Sequence, residues 1–379
     1  MTVDPSGRDP REFGDELLAY PRCPVVHTSS GEVLVAGHAE AVEVATDPQR
    51  FSSGVSAHLQ LPNGLDGEEH ARFRALIDAY LAPAVVDKHE VAFRRIAREV
   101  VSQTFSADSV QVDAVSDIGA RFAVRAMTAW LGWPTELEEK LIGWVVENFA
   151  ATRSGDRDRT AAVAAAFDEI IAEVVRPRLE DPAAFDDVTC ELVHDTSLGR
   201  NLEFPEIVSI LRNWTGGDLG SMALSIGVIL HGLTHDPTLQ ERLREGVSRT
   251  EFTAIADELL RQDNPFVTNR RVTNCPVTVG GVDLPAGQRV RIHWTAANRD
   301  PVRFPEPDGF DPEGNAGHNL VWGAGPHYCP GKPLSILELR ALVEELLALA
   351  RVSPSAAPPT RAVHPVGGWR SLPVELERV

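Results

Sequence analysis

Cys329 stands in a glycine-rich run, Val321-Trp-Gly-Ala-Gly-Pro-His-Tyr-Cys-Pro-Gly331, directly ahead of the amphipathic stretch Lys332–Leu349. A cysteine at the mouth of a helix suits a thiolate ligand to haem iron, because the first helical N–H groups and the positive dipole end favour anionic sulfur. Pro330 fits a first helical turn, where a missing N–H costs little. Gly323, Gly325 and Gly331 have no Cβ, so the backbone can turn sharply and lie flat against a planar macrocycle. His327, two residues before the cysteine, can reach an acidic group at the edge of such a ring. The plain alternative is a small buried hydrophobe in a glycine turn. Zinc would need further cysteines or histidines at ligand spacing, and Cys23, Cys190 and Cys275 are scattered singly. A phosphate loop would need Gly-Lys-Ser/Thr, which is absent.

A flat cofactor needs a second wall, and one segment offers it. From Trp214 to Leu233 the only acidic or basic residue before His231 is Asp218. Pro205 marks a helix start and Asp236-Pro237 a stop, which predicts a helix of about 30 residues and about 45 Å. Gly216-Gly217 falls in its middle, where each glycine costs about 1 kcal/mol relative to alanine; a ligand pressed against the backbone would account for that. A core helix with a packing notch is the plainer reading. Elsewhere periodicity predicts helices over Ala39–Thr46, Glu68–Leu81, Asp87–Thr104, Asp117–Leu131, Glu136–Phe149, Thr160–Val175 and Glu251–Arg261. Short strands are expected at Val33–Ala36, Val277–Val279 and Arg289–His293.

These blocks together resemble the cytochrome P-450 family of haem-thiolate enzymes in its soluble bacterial form. The family's cysteine loop reads Phe-Gly-x-Gly-x-His-x-Cys-x-Gly, and Trp322 to Gly331 matches it except for Trp322 in the Phe position. Glu258-Leu-Leu-Arg261 is similar to the family's Glu-x-x-Arg, His70 with Arg74 to its His-x-x-x-Arg helix, and Arg271 with Val277 to Gly281 to its propionate-binding strand. Arg270 is the fallback if the register slips by one. The resemblance implies a mainly α fold with small β-sheets, one domain over residues 1–379, and haem b (iron protoporphyrin IX) between the long distal helix and the cysteine loop. It also implies that Cys329 binds the metal, that His70, Arg74, Arg271 and His327 hold the propionates, and that Glu258 and Arg261 form a buried pair. A basic residue often completes that pair near Phe310, where this chain has Gly309. Phe51–Gly67 would cover the substrate pocket and 148–205 would supply a lid.

The same resemblance places Asp218 as the distal acid, next to Gly217. The family's following Thr is here Leu219, so Ser221, Thr215 or a substrate hydroxyl would have to complete the proton relay. Trp322 could donate its indole N–H to the sulfur and weaken its electron donation, or simply replace one aromatic with another. With 36 Lys plus Arg against 55 Asp plus Glu, the net charge of −19 argues against a nucleic-acid footprint. No N-terminal apolar segment is present, so neither membrane nor secretion is expected and the compartment is read as cytoplasmic. The implied activity is oxidation by O2 of a small organic or natural-product substrate, with electrons from ferredoxin and ferredoxin reductase. Alternatives are oxidative aromatic cross-linking of a peptide or phenolic precursor, and a non-enzymatic haem sensor.

Overall fold

The computed structural model describes residues 2–56 and 58–379, and of Arg157 the backbone alone. Its axis is the helix Phe204–His235, 32 residues long. Pro205 occupies the first turn, Glu203 and Glu206 form a reciprocal capping box, and the Asp236 carboxylate caps the next helix, Pro237–Glu245. The helix is apolar and long enough to cross a membrane, yet 61% of its most apolar window is buried inside the protein. It is the core helix of a cluster that runs from Leu61 to Leu376 and includes Ile210, Leu211, Met222, Ile226 and Leu230.

Around it lie the helices expected from periodicity, with shifted ends: His38–Thr46, Gly67–Leu81, Glu90–Thr104, Arg121–Leu131, Glu138–Ser154, Arg157–Glu180 and Arg249–Gln262. The first turn of the expected Asp87–Thr104 helix is a 3-10 turn, and Ala114–Ala120 is a π-helical lead into Arg121. Lys332–Leu349 forms over the residues expected and packs along Glu90–Thr104. Leu334, Leu337, Ala341 and Leu342 make its buried face.

A six-stranded sheet flanks the helices in the order Thr2–Val3, Val25–Thr28, Val33–Val35, Arg289–His293, Thr268–Thr273, Phe51–Ser52. Alternation on Thr268–Thr273 decides the arginine register: Arg271, opposite Val290, is buried while Arg270 is exposed. A second sheet pairs Pro373–Arg378 with both Ala350–Pro354 and Ser109–Asp113. The helix Pro10–Leu18 carries no signal noted in the sequence. It needs Gly14 because a Cβ there would come within 2.7 Å of Ala296.

Candidate active site around Cys329

The cysteine loop is closed by its own backbone. Gly323 N–H donates to Leu320, Tyr328 N–H to Gly325, and Cys329 N–H to Trp322 O at 2.9 Å. Gly323 and Gly325 have φ of +75° and +71°, which side chains with a Cβ resist. Gly325 also presses on the helix His38–Thr46: a Cβ would lie 2.6 Å from Ala45 O, so this residue serves loop packing rather than an open flat surface. The helix starts at Lys332 with Gly331 at its cap and Pro333 in its first turn, so Pro330 precedes the helix rather than opening it. The N–H groups of Gly331 and Lys332 do point at the sulfur and, with Arg74, favour the thiolate. The helix end favours the thiolate as expected, but burial is the larger effect and pushes the Cys329 thiol up. A metal cation bound at the sulfur would favour the thiolate further.

Trp322 does not turn its N–H to that sulfur. Its Nε1 donates to Asp257 Oδ1 at 2.6 Å, and the other oxygen of Asp257 accepts from Lys332 Nζ at 2.7 Å. The ammonium also sits 5.6 Å from the indole centroid. The indole is thus held by an acid that the sequence reading did not single out.

On the other side of the loop, four groups converge. The His70 and His327 rings lie 4.2 Å apart. Arg74 bonds Pro326 O and Asp78, and Arg271 is buried and donates to the Arg270 carbonyl. Burial and neighbouring arginines lower both histidines, His327 to about 4, and burial lowers Arg271 too. A single carboxylate, Asp66, acts on His70, Arg271 and His327 together, while Ser53 Oγ sits 2.9 Å from His327 Nε2. His70 Nε2 is buried without a partner. Such an under-neutralised cluster fits the carboxylates of a haem edge, since an added anion would satisfy the orphaned donor and relieve the buried cations. Asp66 and Ser53 come from the stretch read as a pocket-covering loop, of which Ala57 lies outside the described residues.

The central helix presents its glycines to open space: a Cβ on Gly216 or Gly217 would meet nothing within 4 Å. Ser221, one turn after Gly217, is partly exposed and its hydroxyl bonds Gly217 O at 2.5 Å. Thr215 is enclosed and bonds Leu211 O, and Leu219 is buried in the core. Of the two chain hydroxyls that could replace the missing Thr, only Ser221 therefore lies on the glycine side. Asp218 is buried beside them, and its Oδ2 has no donor partner.

Glu258 and Arg261 form the expected pair, both almost fully buried, with two parallel bonds of 2.8 and 2.9 Å. The third partner is backbone. Arg261 also donates to the carbonyls of Asn298, Pro307 and Gly309, and Glu258 Oε1 accepts from Asp311 N–H and Asn315 Nδ2. Cys329 itself lines an open cleft of about 550 Å³ with Arg74, Tyr328, Arg249 and Lys332.

Comparison with known proteins agrees with this geometry. The sequence matches the cytochrome P450 family profile over residues 157–376. It is 30% identical over 370 residues to cytochrome P450 126 of Mycobacterium tuberculosis, covering 88% of this chain and 84% of that one. It is 27% identical to cyclomarin C epoxidase of Salinispora arenicola, covering 88% and 87%. Among solved structures it superposes on HmtN, a post-tailoring hydroxylase of himastatin biosynthesis, with a TM-score of 0.81 at 25% identity over 97% and 99% of the two chains. A mutant of P450 EryK in complex with erythromycin B shares the fold, with a TM-score of 0.85 at 24% identity over 97% and 98% of the chains. The chain belongs to the cytochrome P450 family, and is an enzyme of the bacterial haem-thiolate monooxygenase type whose cofactor is iron protoporphyrin IX.

Proposed function

We propose that this chain oxidises a small organic or natural-product substrate with O2, holding its haem through Cys329 and drawing electrons from a separate ferredoxin and reductase in the cytoplasm. One observation carries the reading: a cysteine loop with a half-buried Cys329 stands with a cationic cluster that holds an orphaned donor and a long helix whose Gly216 and Gly217 face open space. When bound, a haem thiolate supplies reductive O–O cleavage, favoured by electron donation from sulfur. Cys329 is its ligand in one domain spanning the chain. His70, Arg74, Arg271 and His327 take the propionates, and Trp322, Gly323, Gly325 and Gly331 shape the loop. Because Asp257 holds the Trp322 N–H, the sulfur keeps its full electron donation.

On the distal side Gly217 makes room for oxygen and substrate. Ser221 offers the hydroxyl that Leu219 lacks, orienting water, and Asp218 passes protons to that water. Natural-product tailoring by relatives named as a hydroxylase and an epoxidase supports oxygen insertion. Product formed under isotopically labelled O2 should carry the label, and Asp218→Asn should divert electrons from product to peroxide. Unlabelled, dehydrogenated product would instead establish oxidative cross-linking.

Electron delivery has little free positive charge to draw on. Of the basic residues Arg72, Arg94, Arg95, Arg98, Lys332 and Arg340, all but Arg72 pair with carboxylates: Glu90, Glu99, Glu344, Glu345 or Asp257. A basic face built from these residues is thus largely neutralised, whereas Arg72 bonds Leu198 O and has no ion pair among the described residues. Arg72→Glu should slow turnover by an acidic ferredoxin at low salt, with the gap closing as ionic strength rises. Unchanged low-salt turnover would remove charge steering from the account.

A further inference from the structure

Asp257 touches the cysteine loop on both sides of the sulfur. From the helix Arg249–Gln262 its backbone carbonyl accepts from Asn319 Nδ2 at 2.8 Å, one carboxylate oxygen accepts the Trp322 indole N–H, and the other accepts from Lys332 Nζ at 2.7 Å. The first two partners precede Cys329, and the third follows it by three residues. Lys332 is the first residue of its helix, where the positive dipole end opposes an ammonium, so the carboxylate is what holds the charge there. Among the described residues three cations line the cleft that Cys329 lines, and each is answered by an acid: Arg74 by Asp78, Arg249 by Asp87, Lys332 by Asp257. Exposure ranks these pairs. The side chains of Asp78 and Asp87 are 50% and 40% exposed, so water screens them, whereas Asp257 is 16% and Lys332 25% exposed. Of the three, the Lys332–Asp257 pair is therefore the least screened balance of charge beside the sulfur.

We infer that Asp257 is a positioning residue for Cys329: by closing Lys332 into an ion pair it keeps the charge of the ammonium off the sulfur, and so sets how strongly a thiolate there donates to iron. This rests on the reading of Cys329 as the haem ligand. It extends that reading from the indole, whose N–H the same carboxylate holds, to the charge balance around the loop. A bare cation next to a thiolate withdraws electron density and favours the more negative, reduced state of the centre, and a bare carboxylate does the reverse. Paired, the two largely cancel at the sulfur. Removing one partner or the other should therefore move the reduction potential in opposite directions, which mere loosening of the loop would not do.

The test is the reduction potential of the holoenzyme at neutral pH, measured by dye equilibration without substrate for wild type, Asp257→Asn, Lys332→Gln and the double variant. Asparagine still offers an oxygen to the Trp322 N–H, so Asp257→Asn removes the charge alone. At a fixed solution potential its reduced-to-oxidised ratio should rise severalfold. Lys332→Gln should lower that ratio severalfold, and the double variant should return close to wild type. A purely structural role would move both single variants the same way or not at all, and either result would overturn the inference. The spectrum of the reduced protein with carbon monoxide keeps the two layers apart. Thiolate ligation in wild type with unchanged potentials in the variants sinks the charge-balance role alone, whereas a histidine-type wild-type spectrum removes the ligand on which that role rests. Should Asp257→Asn not fold, Lys332→Gln decides by itself: a lowered ratio supports the inference, and an unchanged or raised one contradicts it.

Discussion

Arg261→Ala should cost about 3–5 kcal/mol, the loss expected when one member of a buried ion pair is removed. The arginine is fully buried and its guanidinium serves Glu258 and three carbonyls, those of Asn298, Pro307 and Gly309. Alanine leaves the carboxylate of Glu258 in the interior with only Asp311 N–H and Asn315 Nδ2 to hold it. Since folded domains have only about 5–15 kcal/mol in hand, the loss takes a large share of the stability and should make the protein easier to unfold and quicker to lose haem. The damage would reach the site directly, because the helix that carries this pair also carries Asp257, the anchor of Trp322 and Lys332. Denaturant midpoints would measure the loss. A cost below about 1 kcal/mol, the range of exposed pairs, would contradict the structural role given to this network. Glu258→Gln combined with Arg261→Met removes both charges and should be milder than the single variant.

Legibility in the sequence followed the range over which each signal acts. The central helix is readable because its boundaries are local, Pro205 and Asp236-Pro237, and because its apolar run is long. The cysteine loop is readable because its glycines, His327 and Cys329 sit within one short stretch, which the resemblance then identifies. Partners brought together by the fold are not. Asp257 precedes Glu258 on an ordinary amphipathic helix, and nothing local says that it meets Trp322, 65 residues on. Asp66 lies at a helix start like many surface acids, yet it faces His327. The pairing of Ser109–Asp113 with the C-terminal strand escaped for the same reason, since its partners are far apart in sequence.

Local effects that the sequence shows compete with burial, which it does not. The helix end beside Cys329 stabilises a thiolate as anticipated, but desolvation of the sulfur is larger. Ser221, one of the hydroxyls the sequence offers, lies on the glycine side because it stands four residues after Gly217, on the same helix face.

The second large effect concerns the sulfur itself. In Cys329→Ser the loop geometry should survive, since the backbone bonds that close it do not involve the side chain. Serine cannot supply a thiolate, however, and its hydroxyl is a far poorer ligand at neutral pH. The cationic cluster of Arg74 and Arg271 would still attract the haem edge, so retention of haem with altered ligation, or weakened retention, is expected rather than unfolding. The most direct measurement is the absorption spectrum of the reduced protein with carbon monoxide. Wild type should give the strongly red-shifted Soret band of thiolate ligation, and Cys329→Ser should lose it. A histidine-type spectrum in wild type, or an unchanged band in the variant, would contradict the assignment of Cys329 as the haem ligand.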